Sequence, residues 1–400
     1  MRPGDVDVLI AGGGLAAQRT CETLRRLGYD GRVRMLCDER HAPYDRPPLS
    51  KAILTGERGT EAPSLRPAGW YREHDVELML GARASALDPA ARRVDLEDGA
   101  CLRYRQLVVA TGSQPRRLPT LPLGAAVREL RTIDDARALR ELLSGDAERL
   151  AIVGAGLIGM EVASSATALG IAVTLIEAAP TPLARALPPA LGRWLADLHE
   201  RAGVEVLLER AVDRVRHDGA HVELALNDGR RVVADLVLVA TGTVPATGWL
   251  ADTGLGSAGA IHVDAGGRSA LPGIFAAGDA ACFPDPVTGR HLPTQHWEAA
   301  AHQGAAVARA IVGEPDQAAQ PPMFWSDQHG VRIQFVGHAD GADRLEVDGE
   351  PDTPDFTAWL ICGERPVGAL LAGRARALAD VRRRIATSHD VAATPLGAAA

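Results

Sequence analysis

The stretch that decides the fold is Val6-Asp7-Val8-Leu9-Ile10-Ala11-Gly12-Gly13-Gly14-Leu15-Ala16-Ala17, and it has a second copy in Leu150-Ala151-Ile152-Val153-Gly154-Ala155-Gly156-Leu157-Ile158-Gly159. Each copy opens on a short apolar run, breaks at a glycine-rich turn and continues as a helical stretch, to Leu27 in the first and Leu169 in the second. A second apolar run follows in both, Val33 to Cys37 and Ala172 to Ile176, and carboxylates close it: Asp38 and Glu39 in the first copy, Glu177 in the second. The order predicts two βαβ units.

The turn spacing has a mechanical reason. The first glycine permits a sharp turn, the second lets backbone N–H groups approach a pyrophosphate, and the third position, Ala17 in one copy and Gly159 in the other, keeps helix close to strand. Residues Leu15, Ala16, Leu157 and Ile158 complete the two turns, and the helix start that follows attracts an anion. A carboxylate at the end of the second strand accepts hydrogen bonds from a ribose and repels a 2'-phosphate, so Glu177 predicts NADH over NADPH. The runs ending in Ala110-Thr111-Gly112 and Ala240-Thr241-Gly242 are near copies and are read as closing each nucleotide-binding unit. A further strand, Gly273 to Asp279, puts an acid after Gly278, where Asp279 either accepts from a polyol hydroxyl beside a phosphate or caps the helix that follows.

Composition limits the alternatives. The chain has 400 residues, more than the roughly 250–300 that one core supports, and is 46% hydrophobic and 24% charged, as soluble globular proteins are. A formal charge of −8 disfavours nucleic acid as a partner. The apolar run Ala151 to Ile176 is long enough to span a bilayer, but Glu161 and four glycines divide it into strand, turn, helix and turn, so no membrane partner is expected. Five cysteines, Cys21, Cys37, Cys101, Cys282 and Cys362, show no disulfide framework or metal-ligand spacing, so no metal is expected and a cytoplasmic location is. The first residues carry no signal-peptide pattern.

With these motifs in order, the chain resembles the FAD-dependent pyridine nucleotide oxidoreductases, and within them the ferredoxin reductases that serve Rieske dioxygenases and bacterial cytochrome monooxygenases. Three segments carry the narrower resemblance: Pro43-Tyr44-Asp45-Arg46-Pro47-Pro48-Leu49-Ser50-Lys51, His296-Trp297-Glu298 with Gln303-Gly304, and Phe324-Trp325-Ser326-Asp327-Gln328. The implied fold is α/β, with two Rossmann-like three-layer domains and a smaller carboxyl-terminal α+β domain. The FAD domain would comprise residues 1–112 and 243–320, the NAD domain 113–242 and the carboxyl-terminal domain 321–400. Because the chain has few Phe and Tyr, the last domain's sheet is expected to rely on Val, Ile and Leu.

The resemblance implies that Gly12, Gly14 and Ala17 hold the FAD pyrophosphate, with Asp38 or Glu39 on its ribose, Arg46 and Lys51 along the cofactor and Asp279 at the ribityl chain or adjoining phosphate. Trp297 would lie by the pyrimidine end of the flavin, His296 joins the binding set, and Gly154, Gly156, Gly159 and Glu177 would bind NADH. Lys51, read from the residues alone, is a solvated charge at a helix start; the resemblance places it near flavin N5 and pairs it with Glu161, whose carboxylate is costly in an apolar helix unless paired. Trp297 and Trp325 also read as core filling. The run Arg374, Arg376, Arg382, Arg383 and Arg384 reads as a solvated helix face or as a docking surface for an acidic ferredoxin.

The implied activity is hydride transfer from NADH to FAD, then single-electron delivery to a small iron-sulfur ferredoxin, by a monomer or homodimer. A disulfide reductase would need a redox cysteine where Pro47 to Lys51 stands. A rubredoxin or quinone reductase, and a slow NADH-sensing flavoprotein, are the alternatives.

Overall fold

Val8, Leu9, Ile10 and Ala11 are all buried, with no alternation, and Ala151, Ile152 and Val153 repeat the pattern. Only strands covered on both faces bury consecutive residues this way, so each run sits at the centre of a parallel sheet. The computed structural model describes residues 6–219, 221–256, 259–285, 289–316 and 320–390. The chain divides into two units, one made of Met1–Asp45, Ala62–Gln114 and Val244–Pro322, the other of Arg46–Glu61, Pro115–Thr243 and Met323–Ala400.

In the first unit the sheet runs Val76–Leu80, Val33–Cys37, Val6–Ala11, Cys101–Val109, Arg93–Leu96, Ala84–Asp88, with Ile274–Ala276 added in parallel beside Cys101–Val109. Helix Leu15–Arg26 packs against helix Trp297–Val312 at very short range, because a Cβ on Gly304 would lie 2.3 Å from the Ala16 carbonyl oxygen. Thr20 Oγ1 donates to the Gly304 carbonyl at 3.1 Å across the same seam.

The second unit contains two five-stranded sheets with different logic, besides a three-stranded antiparallel one formed by Val212–His217, Val222–Leu226 and Arg231–Ala234. Five parallel strands run in the order Glu205–Leu208, Ala172–Glu177, Arg149–Val153, Leu236–Val239, Val127–Arg128. The long apolar stretch thus resolves into strand Arg149–Val153, helix Leu157–Ala168 and strand Ala172–Glu177, and among the described residues no helix is long and apolar enough to cross a membrane. The other five-stranded sheet is antiparallel, in the order Met323–Gln328, Val331–Gly337, Arg365–Ala372, Asp355–Cys362, Arg344–Glu350, and helix Leu378–Asp390 covers it through Val381 and Ile385. Its core corrects the expectation of a purely aliphatic filling. Phe324, Phe335 and Phe356 are all buried there, three of the chain's five phenylalanines, and Phe324 stacks on Phe335 with centroids 5.3 Å apart. Composition averages over the chain, whereas these three phenylalanines share the face of the sheet opposite helix Leu378–Asp390, whose own side is filled by Met323, Val336, Ala369 and Leu371.

The internal repeat extends to hydrogen bonds. Gly12 N donates to Leu36 O and Gly154 N to Ile176 O, both at 2.8 Å; Ala110 N donates to Ala11 O at 2.7 Å and Ala240 N to Val153 O at 2.8 Å. The same bonds lock the same turn twice.

Asp235 ties the start of strand Leu236–Val239 to strand Arg149–Val153, accepting from Arg149 Nη2 at 2.8 Å and from the backbone N–H groups of Glu148 and Arg149 at 3.0 and 2.9 Å. Burial alone would raise its carboxyl, but these donors outweigh it and hold it at about 2. A carboxyl held below its ordinary value adds stability that is full above that value and lost as pH falls through the folded one. Asp235→Asn is therefore expected to cost about 2 kcal/mol at neutral pH, with the gap to wild type closing as pH falls from 3.8 toward about 2. Urea unfolding across the acid range checks this, and a gap independent of pH would contradict it.

Candidate functional site

In the first unit Gly12 has φ +128°, and a Cβ there would lie 2.0 Å from the Ala110 carbonyl oxygen, so the turn admits glycine alone. Gly14 stands at the N-cap of helix Leu15–Arg26 with extended backbone, no side-chain cap and no acid in the first turn, and a Cβ on it would meet nothing within 4 Å. An uncapped, acid-free helix start beside open space suits an anion. Ala17 is fully buried and fills the place of the third glycine.

Thr111 Oγ1 donates to Ala246 O at 2.8 Å, and Gly112 O accepts from Ala246 N at 2.9 Å, pinning the crossover after strand Cys101–Val109. Of the two ribose candidates, Glu39 accepts from Tyr44 Oη at 2.6 Å, while Asp38 is exposed, with Arg83 Nε 3.9 Å away. Asp279 lies in the short turn Gly278–Ala280, which leads into strand Ala281–Pro284, so it caps no helix, in contrast to the capping alternative. Its carboxylate accepts from Ser113 Oγ at 2.6 Å, and Gln303 Oε1 accepts from Gly278 N at 2.9 Å. Trp297 Nε1 donates to Asp45 Oδ1 at 2.6 Å, and His296 is the N-cap of helix Trp297–Val312.

The thiols nearest the first turn are unreactive. Cys21 and Cys37 are buried, and burial, with Glu39 adding to it, pushes the Cys37 thiol up to about 12. A thiol so placed stays protonated and is a poor nucleophile at neutral pH.

The second unit repeats the cradle. Gly154 has φ +112° with its Cβ position 2.4 Å from Ala240 O, a Cβ on Gly159 would lie 2.0 Å from Gly154 O, and Gly156 caps helix Leu157–Ala168 beside open space. Leu157 and Ile158 form the acid-free first turn. Thr241 Oγ1 donates to Arg116 O at 3.2 Å and Gly242 O accepts from Arg116 N at 2.9 Å. Glu177 does more than wait for a ribose: its carboxylate accepts from Ala155 N at 2.7 Å and Ala179 N at 2.8 Å, holding the turn in shape.

Lys51 and Glu161 meet in this unit, Nζ to Oε1 at 2.7 Å, with the carboxylate 7% exposed and the ammonium side chain 20% exposed. The Pro47–Ser50 turn presents Lys51, whose Nζ also donates to Pro47 O at 3.3 Å, and Ser165 Oγ fixes the Ser50 carbonyl at 2.7 Å. Arg46 Nη1 donates to Arg131 O at 2.6 Å.

Four side chains around Glu161 carry no role in the sequence reading. Ser50 Oγ donates to Oε2 at 2.5 Å and Ser326 Oγ to Oε1 at 2.6 Å; Gln328 Nε2 donates to Ser326 Oγ at 2.9 Å, and Gln328 Oε1 lies 3.0 Å from His199 Nε2. A signal for two of them exists: strand Met323–Gln328 alternates, so Phe324, Ser326 and Gln328 share one buried face, and polar groups on such a face require partners. His199 gives no comparable signal, being one histidine on the buried side of helix Pro189–Arg201.

The basic run near the carboxyl end is largely engaged. Arg374 reaches Asp348 at 2.7 Å and Asp355 at 2.8 Å, Arg383 pairs with Asp380, and Arg384 lies over the Trp359 ring at 4.4 Å. Exposed pairs of this kind contribute little to stability but do offset the charge a docking face would present.

Both cradles fit a dinucleotide, and comparison with known proteins points the same way. Residues 6–304 match the family model for pyridine nucleotide-disulphide oxidoreductases and residues 323–400 match that for the reductase C-terminal domain. The chain is 38% identical over 384 residues to the ferredoxin–NAD(+) reductase component of the anthranilate 1,2-dioxygenase system of Burkholderia cepacia, covering 94% of this chain and 93% of that one. Among solved structures it resembles the ferredoxin reductase for the CYP199A2 system from Rhodopseudomonas palustris, with 31% identity, TM-score 0.89 and coverage of 97% and 98%. It also resembles a chain of the covalent putidaredoxin reductase–putidaredoxin complex, with 31% identity, TM-score 0.90 and coverage of 97% and 94%.

Proposed function

This chain belongs to the pyridine nucleotide-disulphide oxidoreductase family, and from that premise we propose that it is a cytoplasmic NADH-dependent ferredoxin reductase whose partner is a small two-iron ferredoxin feeding an oxygenase. The observation that carries the reading is the doubled cradle: two glycine turns, each opening on an uncapped, acid-free helix start, in one chain. FAD held there would supply the conversion of a two-electron hydride donor into single-electron transfers, which a one-electron iron-sulfur acceptor requires.

The protein's part is to bind, orient and supply charge. Gly12, Gly14 and Ala17 present the first helix start to the FAD pyrophosphate, with Glu39 or Asp38 on its ribose and Asp279 at its polyol or phosphate. Gly154, Gly156 and Gly159 do the same for NADH. Lys51 supplies positive charge where hydride arrival adds negative charge to the flavin, and Glu161 fixes the direction of the ammonium. The FAD domain is assigned to 1–112 and 243–320, the NAD domain to 113–242 and the partner-facing domain to 321–400.

The activity is tested by adding NADH and a candidate ferredoxin to the FAD-loaded protein and following cytochrome c reduction. The expected result is a rate that depends on the ferredoxin; a rate equal with and without any iron-sulfur acceptor, while ferricyanide is reduced normally, would count against the partner. Coenzyme choice gives a separate check. Glu177→Gln removes the charge that repels a 2'-phosphate but retains an acceptor for the turn, so the NADH-to-NADPH ratio of kcat/KM with ferricyanide should fall about tenfold. An unchanged ratio would assign the selectivity to other residues.

A further inference from the structure

Glu161 is the first link of a longer chain of hydrogen bonds. From its Oε1 the chain runs to Ser326 Oγ at 2.6 Å, Gln328 Nε2 at 2.9 Å, across that amide to His199 Nε2 at 3.0 Å, and from His199 Nδ1 to His329 Nε2 at 3.0 Å. Ser326 is 0% exposed, Gln328 1% and His199 0%. Its outer member, His329, is partly exposed.

Counting protons fixes every bond's direction. A carboxylate only accepts, so Ser326 spends its single hydroxyl hydrogen on Glu161 and must accept from Gln328. That orients the amide, leaving Gln328 Oε1 toward His199, so His199 Nε2 carries a hydrogen. Burial first, and the neighbouring His329 second, hold His199 down at about 4, so the ring is neutral at pH 7 and its Nδ1 accepts. His329 Nε2 is then the donor. One charge at the inner end sets two imidazole tautomers at the outer end.

The turn adds an independent observation. His329 and Gly330 connect strands Met323–Gln328 and Val331–Gly337 with φ +48° and +76°, the pattern of a type I′ hairpin. Non-glycine residues rarely take that backbone, and from it the His329 ring reaches His199 Nδ1. It supplies the last donor.

We propose that Ser326, Gln328 and His199 are positioning residues that hold Glu161 aimed at Lys51, through a hydrogen-bond chain whose direction the carboxylate itself sets. The link to catalysis rests on the function proposed above, since it is Lys51 that needs Glu161 fixed. The direction of the chain does not rest on it. A proton wire is not implied, because Gln328 would have to pass through a costly imidic acid form.

The test uses the FAD-loaded protein with ¹⁵N-labelled histidine. In wild type both His199 and His329 should show the Nε2–H tautomer. Glu161→Gln allows the amide to donate to Ser326 and the whole chain to reverse, so His199 should become a mixture of tautomers. His329→Asn suits the turn and breaks the nearer bond, yet should leave His199 in its Nε2–H form, because the direction comes from the Glu161 end. Ser326→Ala, and Gln328→Met as a variant that fills the same space, should each slow limiting flavin bleaching by NADH about tenfold, with the half-saturating NADH concentration unchanged. A His199 tautomer unmoved by Glu161→Gln, or a wild-type limiting rate in both Ser326→Ala and Gln328→Met, overturns the proposal. Wild-type protein that NADH fails to bleach would instead sink the functional reading, and the tautomer comparison would still judge the chain.

Discussion

Lys51→Met should destabilise the protein by about 3 kcal/mol and slow its reduction by NADH about 100-fold. The substitution leaves the Glu161 carboxylate 7% exposed with two serine hydroxyls and no cation. Removing one partner of a buried pair is costly because the other charge stays behind. The double variant Lys51→Met/Glu161→Gln removes that orphaned charge, so most of the lost stability should return while the slow reduction persists. Denaturant unfolding and anaerobic stopped-flow absorbance on the single and double variants separate the two effects. Stability and rate recovering together in the double variant would mean that Lys51 acts only by holding the fold.

The two glycines of the first turn should fail in different ways. Gly12→Ala puts a methyl 2.0 Å from the Ala110 carbonyl oxygen on backbone with φ +128°, so the flavin-free protein itself should be destabilised by several kcal/mol, on the order of 3 or more. Gly14→Ala meets nothing within 4 Å and has a φ of −89°, which any residue adopts, so the flavin-free protein should melt as wild type does. The space that its methyl enters is the space the pyrophosphate needs to reach the helix start. Losing one or two charge-assisted bonds there should weaken FAD binding about 100-fold. Calorimetry of the flavin-free proteins and fluorescence titration with FAD test the contrast. Gly14→Ala that binds FAD as tightly as wild type would remove this turn from the cofactor site.

The doubled strand–turn–helix is legible in sequence because its constraints are local. The closure after Gly12 admits no Cβ, and Ala11 to Val8 must be apolar because both faces are covered. That Glu161 needs a partner is legible for a different reason, since a carboxylate in the helix Leu157–Ala168 is costly unpaired, but that the partner is Lys51 comes from the family resemblance and not from the residues alone. What escapes is whatever depends on distant partners. Nothing within a few residues of His199 announces Gln328 or His329, and nothing near Glu177 announces that Ala155 donates to it. Arg374 reads as part of a positive run until Asp348 and Asp355 come close across neighbouring strands. Whole-chain composition likewise hides three buried phenylalanines gathered in one sheet.

We propose that NADH reduces the flavin of this chain without the participation of a thiol. The most direct measurement is anaerobic mixing of the FAD-loaded protein with NADH, on wild type and on a variant with Cys21 and Cys37 both replaced by Ala. Fast, complete loss of the flavin's visible absorption is expected, at equal rates in both proteins. Flavin that stays oxidised in the presence of NADH, or bleaching that disappears with the two thiols, would contradict it.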